Sequence, residues 1–87
     1  MMPKDVDFQE LRIKIGKGIK IRRIRKGLRQ SDMAKKAGLS QTHFSNVENG
    51  HVMLSLKKMF EVAELLSCTV DDLLNPDRYL ETAKKKS

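Results

Sequence analysis

Residues 40–50 read SQTHFSNVENG. Gln41, Thr42, Ser45, Asn46 and Asn49 place five uncharged hydrogen-bonding side chains around the apolar pair Phe44 and Val47. Amides and hydroxyls donate and accept at once, which suits them to the mixed donor and acceptor edges that base pairs present in the major groove. On a helical wheel at about 100° per residue, Phe44 and Val47 point one way. Thr42, Ser45, Asn46 and Asn49 gather opposite, with Gln41 at their flank. An ordinary solvent-facing helix side is rich in Lys, Glu and Arg, and this flank holds none of them.

Other chemistries find little support. His43 and His51 lack a carboxylate or cysteine cluster at ligand spacing, so no metal site is expected, and His43 reads as a helix-flank residue. No Gly-rich phosphate loop, nucleophile elbow or paired-carboxylate pattern is present. The expectation is therefore no enzyme and no cofactor. Cys68 is the only cysteine. It permits no internal disulfide and reads as a small buried hydrophobe beside Leu65 and Leu66.

The elements that must hold the polar flank in place follow from periodicity and punctuation. The chain has 87 residues, 39% apolar and 33% charged, with no tryptophan. One small all-α domain is expected. A first unit ends at Gly27. Asp7 with Glu10 suggests a capping box, but Gly16 and Gly18 each weaken a helix by up to about 1 kcal/mol. Either one helix runs from Phe8 through the glycines, or a lead-in over 1–14 ends near Lys14; the second is favoured, with the core helix at roughly residues 15–26. The run RQSDMAKKAG gives a second helix closed by Gly38. Ser40 caps the third, and Gly50 stops it. The fourth starts at Ser55, with Leu56, Met59, Phe60, Ala63 and Leu66 at helical spacing. The fifth starts at Thr69, with Asp71 and Asp72 in its first turn. Residues 76–87 are a polar tail or a short extra helix around Tyr79 and Leu80.

The spacing of Ala34, Gly38, Phe44 and Val47 is that of a helix-turn-helix. It provides a small residue where two helices cross, a glycine where the turn takes positive φ, and two anchors for the second helix. On these residues, the run from Ile15 to Leu74 resembles the DNA-binding domain of phage repressors and Cro proteins, the XRE-type helix-turn-helix family. The resemblance implies a compact five-helix bundle occupying 15–75, with the third helix reading DNA and a dimer on a near-palindromic operator. It implies base contacts from Gln41, Thr42 and Asn46, with Ser45 as an addition, and phosphate contacts from Gln30 and Asn49. It also implies an ion pair between Arg23 and Glu48, as some members have. On the wheel Glu48 lies at the inward edge, where an unpaired carboxylate is costly. Two residues depart from the family pattern. Arg29 stands where Ser or Thr usually caps the second helix, and Leu54 where Pro often precedes the fourth.

The net charge of +7 is concentrated in residues 1–29, which hold ten Lys or Arg against three acids, while the rest of the chain is neutral. Such a field points to a polyanion, and Arg25, Lys26 and Arg29 are the cations expected to reach phosphate. The expected function is a sequence-specific transcriptional regulator, a repressor that binds double-stranded DNA as a homodimer. An antitoxin that pairs with a small toxin protein and represses its own operon keeps the same fold. A protein-interaction module that never touches DNA is a further alternative, and a membrane-surface protein fits the globular pattern poorly. With no signal-peptide core and no membrane-length apolar run, a cytoplasmic location is expected.

Overall fold

Helix-end chemistry decides where this chain turns. In the computed structural model, residues 7–75 are described. They form five helices: α1 (Phe8–Arg25), α2 (Gln30–Lys36), α3 (Gln41–Glu48), α4 (Leu56–Leu65) and α5 (Val70–Leu74). The expected sixth helix or tail at 76–87, with Tyr79 and Leu80, lies outside the described residues, as do residues 1–6.

Four helices start on a side-chain oxygen. Asp7 Oδ1 accepts from the Gln9 and Glu10 N–H groups at 3.0 and 3.2 Å. Ser40 Oγ accepts from His43 N–H at 3.0 Å, and Ser55 Oγ from Lys58 N–H at 3.2 Å. Thr69 and Asp72 close a full capping box, with both bonds 3.0 Å long. The Thr69 N–H holds the Asp72 carboxyl below its ordinary pKa. Each such cap contributes about 1 kcal/mol. Arg29 offers no acceptor, so α2 begins without a side-chain cap.

The first four helices end alike. The residue after the C-cap takes positive φ, namely Gly27, Gly38, Gly50 and Ser67. In each case its N–H and the next one fold back onto the carbonyls of the last turn, as with Gly38 to Lys35 at 3.1 Å and Leu39 to Ala34 at 2.9 Å. These paired bonds satisfy carbonyls that the helix leaves without a partner. Ser67 is the one non-glycine described at positive φ, at 57°.

α1 corrects the expectation of a start near residue 15. It runs as one helix from Phe8, straight through Gly16 and Gly18. Glu10 pairs with Lys14 Nζ at 3.3 Å one turn on. The glycine at 16 answers a tertiary need. A Cβ there would sit 2.3 Å from the Val47 carbonyl oxygen and 2.6 Å from that of Glu48. The two helices cross backbone to backbone, and the local propensity cost is the condition for that approach.

α1 lies against α3 and α5, α2 against α3, and α4 against α5. Ile15, Ile19, Met33, Phe44, Val47, Val62 and Leu73 fill the centre, all essentially sealed from solvent. On α4 the buried line is Met59, Val62, Ala63 and Leu66. Leu56 and Phe60, expected on that face, are 67% and 59% exposed. The apolar stripe is wider than the face the core needs. Leu56, at the first helical position, points back past the edge of the core, and Phe60 lies one turn along the same line. Phe60 instead lines a groove with Ala63, Cys68 and Val70. Cys68 is only partly buried against the core, and that burial pushes its thiol pKa up. Among the described residues no helix is long and apolar enough to cross a membrane.

Candidate nucleic-acid interface

α3 is held from behind and bare in front. Phe44 and Val47 are 0% and 1% exposed, and α2 packs alongside with Met33, Ala34 and Ala37 buried. Between them Gly38 takes φ +71°, a turn that L-residues adopt only with strain. Lys58 of α4 reaches across and donates to the Ala37 carbonyl at 2.8 Å while pairing with Glu61 at 2.9 Å. A cation on the last carbonyls of α2 complements the helix dipole, and the same lysine's hydrogen bond holds the Glu61 carboxyl below its ordinary pKa. This clamp fixes the turn from outside the helix pair.

Glu48 ties the inner end of α3 to both preceding helices. Its carboxylate accepts from Arg23 Nε at 2.6 Å and Nη2 at 3.2 Å. The third partner is Gln30, whose Nε2 donates at 2.9 Å. Arg23 Nη1 also donates to the Leu28 carbonyl at 2.8 Å, in the connection to α2. The Glu48 side chain is 1% exposed and that of Arg23 10%. The pair is forked and charge-assisted, and these further bonds satisfy more of its donors and acceptors, the condition under which buried ions are tolerated. Glu48 thus fixes where α3 lies relative to α1 and to the start of α2.

The opposite flank carries the polar set. Gln41, Thr42 and Asn49 are exposed, and Ser45 and Asn46 are half-buried. Among the described residues no hydrogen bond engages any of these five side chains; α3's side-chain bonds run through Ser40 and Glu48. Their amides and hydroxyls thus keep donors and acceptors that no described residue engages. His43 is exposed beside them. No cluster of three metal-ligating side chains occurs among the described residues.

The cations named from sequence take different positions. Arg29 is exposed and its Nε meets Asp32 at 3.1 Å, a surface pair worth little and readily exchanged for a phosphate. Lys26 Nζ donates to Ser67 Oγ at 2.9 Å, in the turn before α5. Arg25 is exposed at the end of α1. Gln30 keeps its carbonyl oxygen and one N–H beyond the bond to Glu48. One positioning residue and one hydrogen bond escaped the sequence reading. Lys58 gives no local sign of its role, because its partner lies 21 positions away. The bond from Gln30 to Glu48 spans 18 positions and has no periodic signature.

Comparison with known proteins bears on this geometry. The helix-turn-helix family model matches residues 19–73. The 10 kDa protein of the ImmF control region of Bacillus phage phi105 is 38% identical over 60 residues, covering 69% of this chain and 67% of that protein. Three solved structures align well. The restriction-modification controller protein C.AhdI from Aeromonas hydrophila has TM-score 0.67 and 29% identity, over 71% of this chain and 94% of that one. The hypothetical transcription factor NHTF from Neisseria has TM-score 0.75 and 28% identity, over 88% and 90%. The clp gene regulator ClgR from C. glutamicum has TM-score 0.70 and 26% identity, over 74% and 82%.

Proposed function

The chain belongs to the helix-turn-helix family, and from that premise we propose that it is a sequence-specific DNA-binding regulator of transcription, a cytoplasmic repressor acting as a dimer on a near-palindromic operator. The observation that carries the reading is the two-sided character of α3. Its back is sealed by Phe44 and Val47, and its front offers five hydrogen-bonding side chains with no partner among the described residues. The relatives named as control, controller and regulator proteins support the same role.

Division of labour follows from chemistry. Gln41, Thr42, Ser45 and Asn46 read base edges, where a good bidentate amide contact discriminates by about 1–3 kcal/mol. Gln30, Asn49, Arg25, Lys26 and Arg29 contact phosphate, supplying sequence-blind, salt-dependent attraction. The shortness of α3 favours a dimer. The eight residues of α3 span about 12 Å, which is only about 3–4 base pairs at ~3.4 Å each. One copy therefore reads too little sequence to find a single address, and a second copy doubles it. Half-sites are expected about 34 Å apart. The apolar groove by Phe60 and Val70 at the α4–α5 edge supports a partner copy seated there.

Selection from a random-sequence duplex library tests the reading. A consensus with two-fold symmetry, bound by two chains in sedimentation and shutting off a promoter placed over it, is the expected result. Binding that depends on salt but not on sequence would overturn it.

A further inference from the structure

We infer that Gly16 is a positioning residue that sets the lie of α3 against DNA, and that it does so with Ile13 through the close packing of one turn of α1, which precedes the stretch matched by the family model, on the main chain at the end of α3. The inference rests on the DNA-binding reading above. Gly16 and Ile13 both precede residue 19, where the family match begins.

The contact is two-sided. A Cβ on Gly16 would lie 2.3 Å from the Val47 carbonyl oxygen and 2.6 Å from that of Glu48. A Cβ on Gly50 would lie 2.8 Å from Ile13 Cγ1 and 2.9 Å from Ile13 Cα. One turn of α1, residues 13–16, therefore rests directly on the main chain at 47–50, the end of α3. No flexible side chain stands between them at Gly16 to absorb a change. The neighbouring fixings are equally stiff: Arg23 and Gln30 hold the Glu48 carboxylate, and Phe44 and Val47 are sealed in the core.

The geometry decides what a methyl group would do. Ordinary contact begins at about 3.4 Å, and an added Cβ would lie only 2.3 Å from the Val47 carbonyl oxygen, so Gly16→Ala forces α1 and the end of α3 apart by about 1 Å. Arg23 still tethers Glu48, so α3 tilts about that tie rather than sliding away whole. Hydrogen bonds of N–H···O type are made over a window of about 0.5 Å. A tilt of about 1 Å takes amide–base contacts out of range, while long Lys and Arg side chains follow phosphate without loss. The signature is lost discrimination with retained sequence-blind affinity.

The experiment measures the ratio of affinities for a duplex selected by the wild-type chain and for a scrambled duplex of equal length, for five proteins: wild type, Gly16→Ala, Ile13→Ala, Gln41→Ala and Val62→Ala. Ile13 is half-exposed, so truncating it costs little stability while removing Cγ1, its nearest atom over Gly50. Val62 is sealed in α4, so its truncation lowers stability without touching the contact. The fraction folded cancels in the ratio. The expected result is a fall of about tenfold or more for Gly16→Ala, comparable to losing one base contact as in Gln41→Ala. Ile13→Ala is expected to show a fall of about threefold, and Val62→Ala none. A wild-type ratio that survives in Gly16→Ala and Ile13→Ala within about twofold, a factor too small for a lost base contact, overturns the inference alone. Should Gly16→Ala not fold, Ile13→Ala decides by the same criterion. A wild-type chain that selects no sequence overturns the regulator reading, and this inference with it.

Discussion

Removing the Arg23 guanidinium while keeping an unbranched apolar stem, as Arg23→Met, leaves the Glu48 carboxylate, 1% exposed in the native fold, without its ion partner. Breaking one side of a buried pair costs about 3–5 kcal/mol. Gln30 still donates to Glu48, which puts the cost at the lower end, about 3 kcal/mol. A chain of 87 residues has about 4–13 kcal/mol of stability to begin with. The variant is therefore folded at low temperature but loses much of its margin. The paired replacement Arg23→Met with Glu48→Leu removes both charges and keeps apolar volume, and is expected to recover most of the loss. Urea unfolding followed by circular dichroism at neutral pH measures both, and the double-mutant cycle gives the coupling, expected at about 2 kcal/mol or more. If the single variant costs under about 1 kcal/mol, the range for a surface pair, or if the cycle shows no coupling, the account of Glu48 as a desolvated tie is wrong.

The other expectations concern the two faces of the fold and its ends. Replacing Gln41, Thr42 or Asn46 by Ala should change unfolding free energy by no more than about 0.5 kcal/mol each, because none has a hydrogen-bond partner among the described residues, while sequence preference in gel-shift titrations falls sharply. Ser67→Gly should stabilise the protein by about 0.5–1 kcal/mol, since Ser67 sits at φ 57° where glycine is unstrained; a loss of stability would show that its bond to Lys26 matters more than the backbone. Asp72 is held below its ordinary value of 3.8 by the Thr69 N–H. Its contribution is therefore present above 3.8 and disappears as pH falls through the folded value. The stability gap between wild type and Asp72→Asn should be full at neutral pH and shrink in acid, and a gap that does not change with pH would contradict the cap.

Much of the architecture was legible because helix ends are local events. Ser40, Ser55 and Thr69 are capping residues read directly from the chain, and Gly27, Gly38 and Gly50 mark the left-handed exits. What was not legible depends on neighbours. Gly16 looks like a helix breaker in isolation and proves to be a crossing point, because the carbonyls it accommodates are more than thirty positions later. The wheel for α3 places Glu48 at the inward edge, but its partners come from α1 and α2, which no wheel of one helix contains. On α4 the apolar stripe was visible. Which side of it turns inward was not, and Val62 took the place expected for Phe60. For the interface, residue type indicated which way the flank points, while Lys58 and its hold on Ala37 belong wholly to tertiary structure.

Because no described residue hydrogen-bonds to the outward amides and hydroxyls of α3, descendants of this chain could exchange them one substitution at a time without passing through unfolded intermediates. The inward residues have no such freedom. Arg23, Gln30 and Glu48 meet at one carboxylate, so drift at any of them demands change at the others, and lineages should diverge quickly in what they recognise and slowly in how they hold the reader.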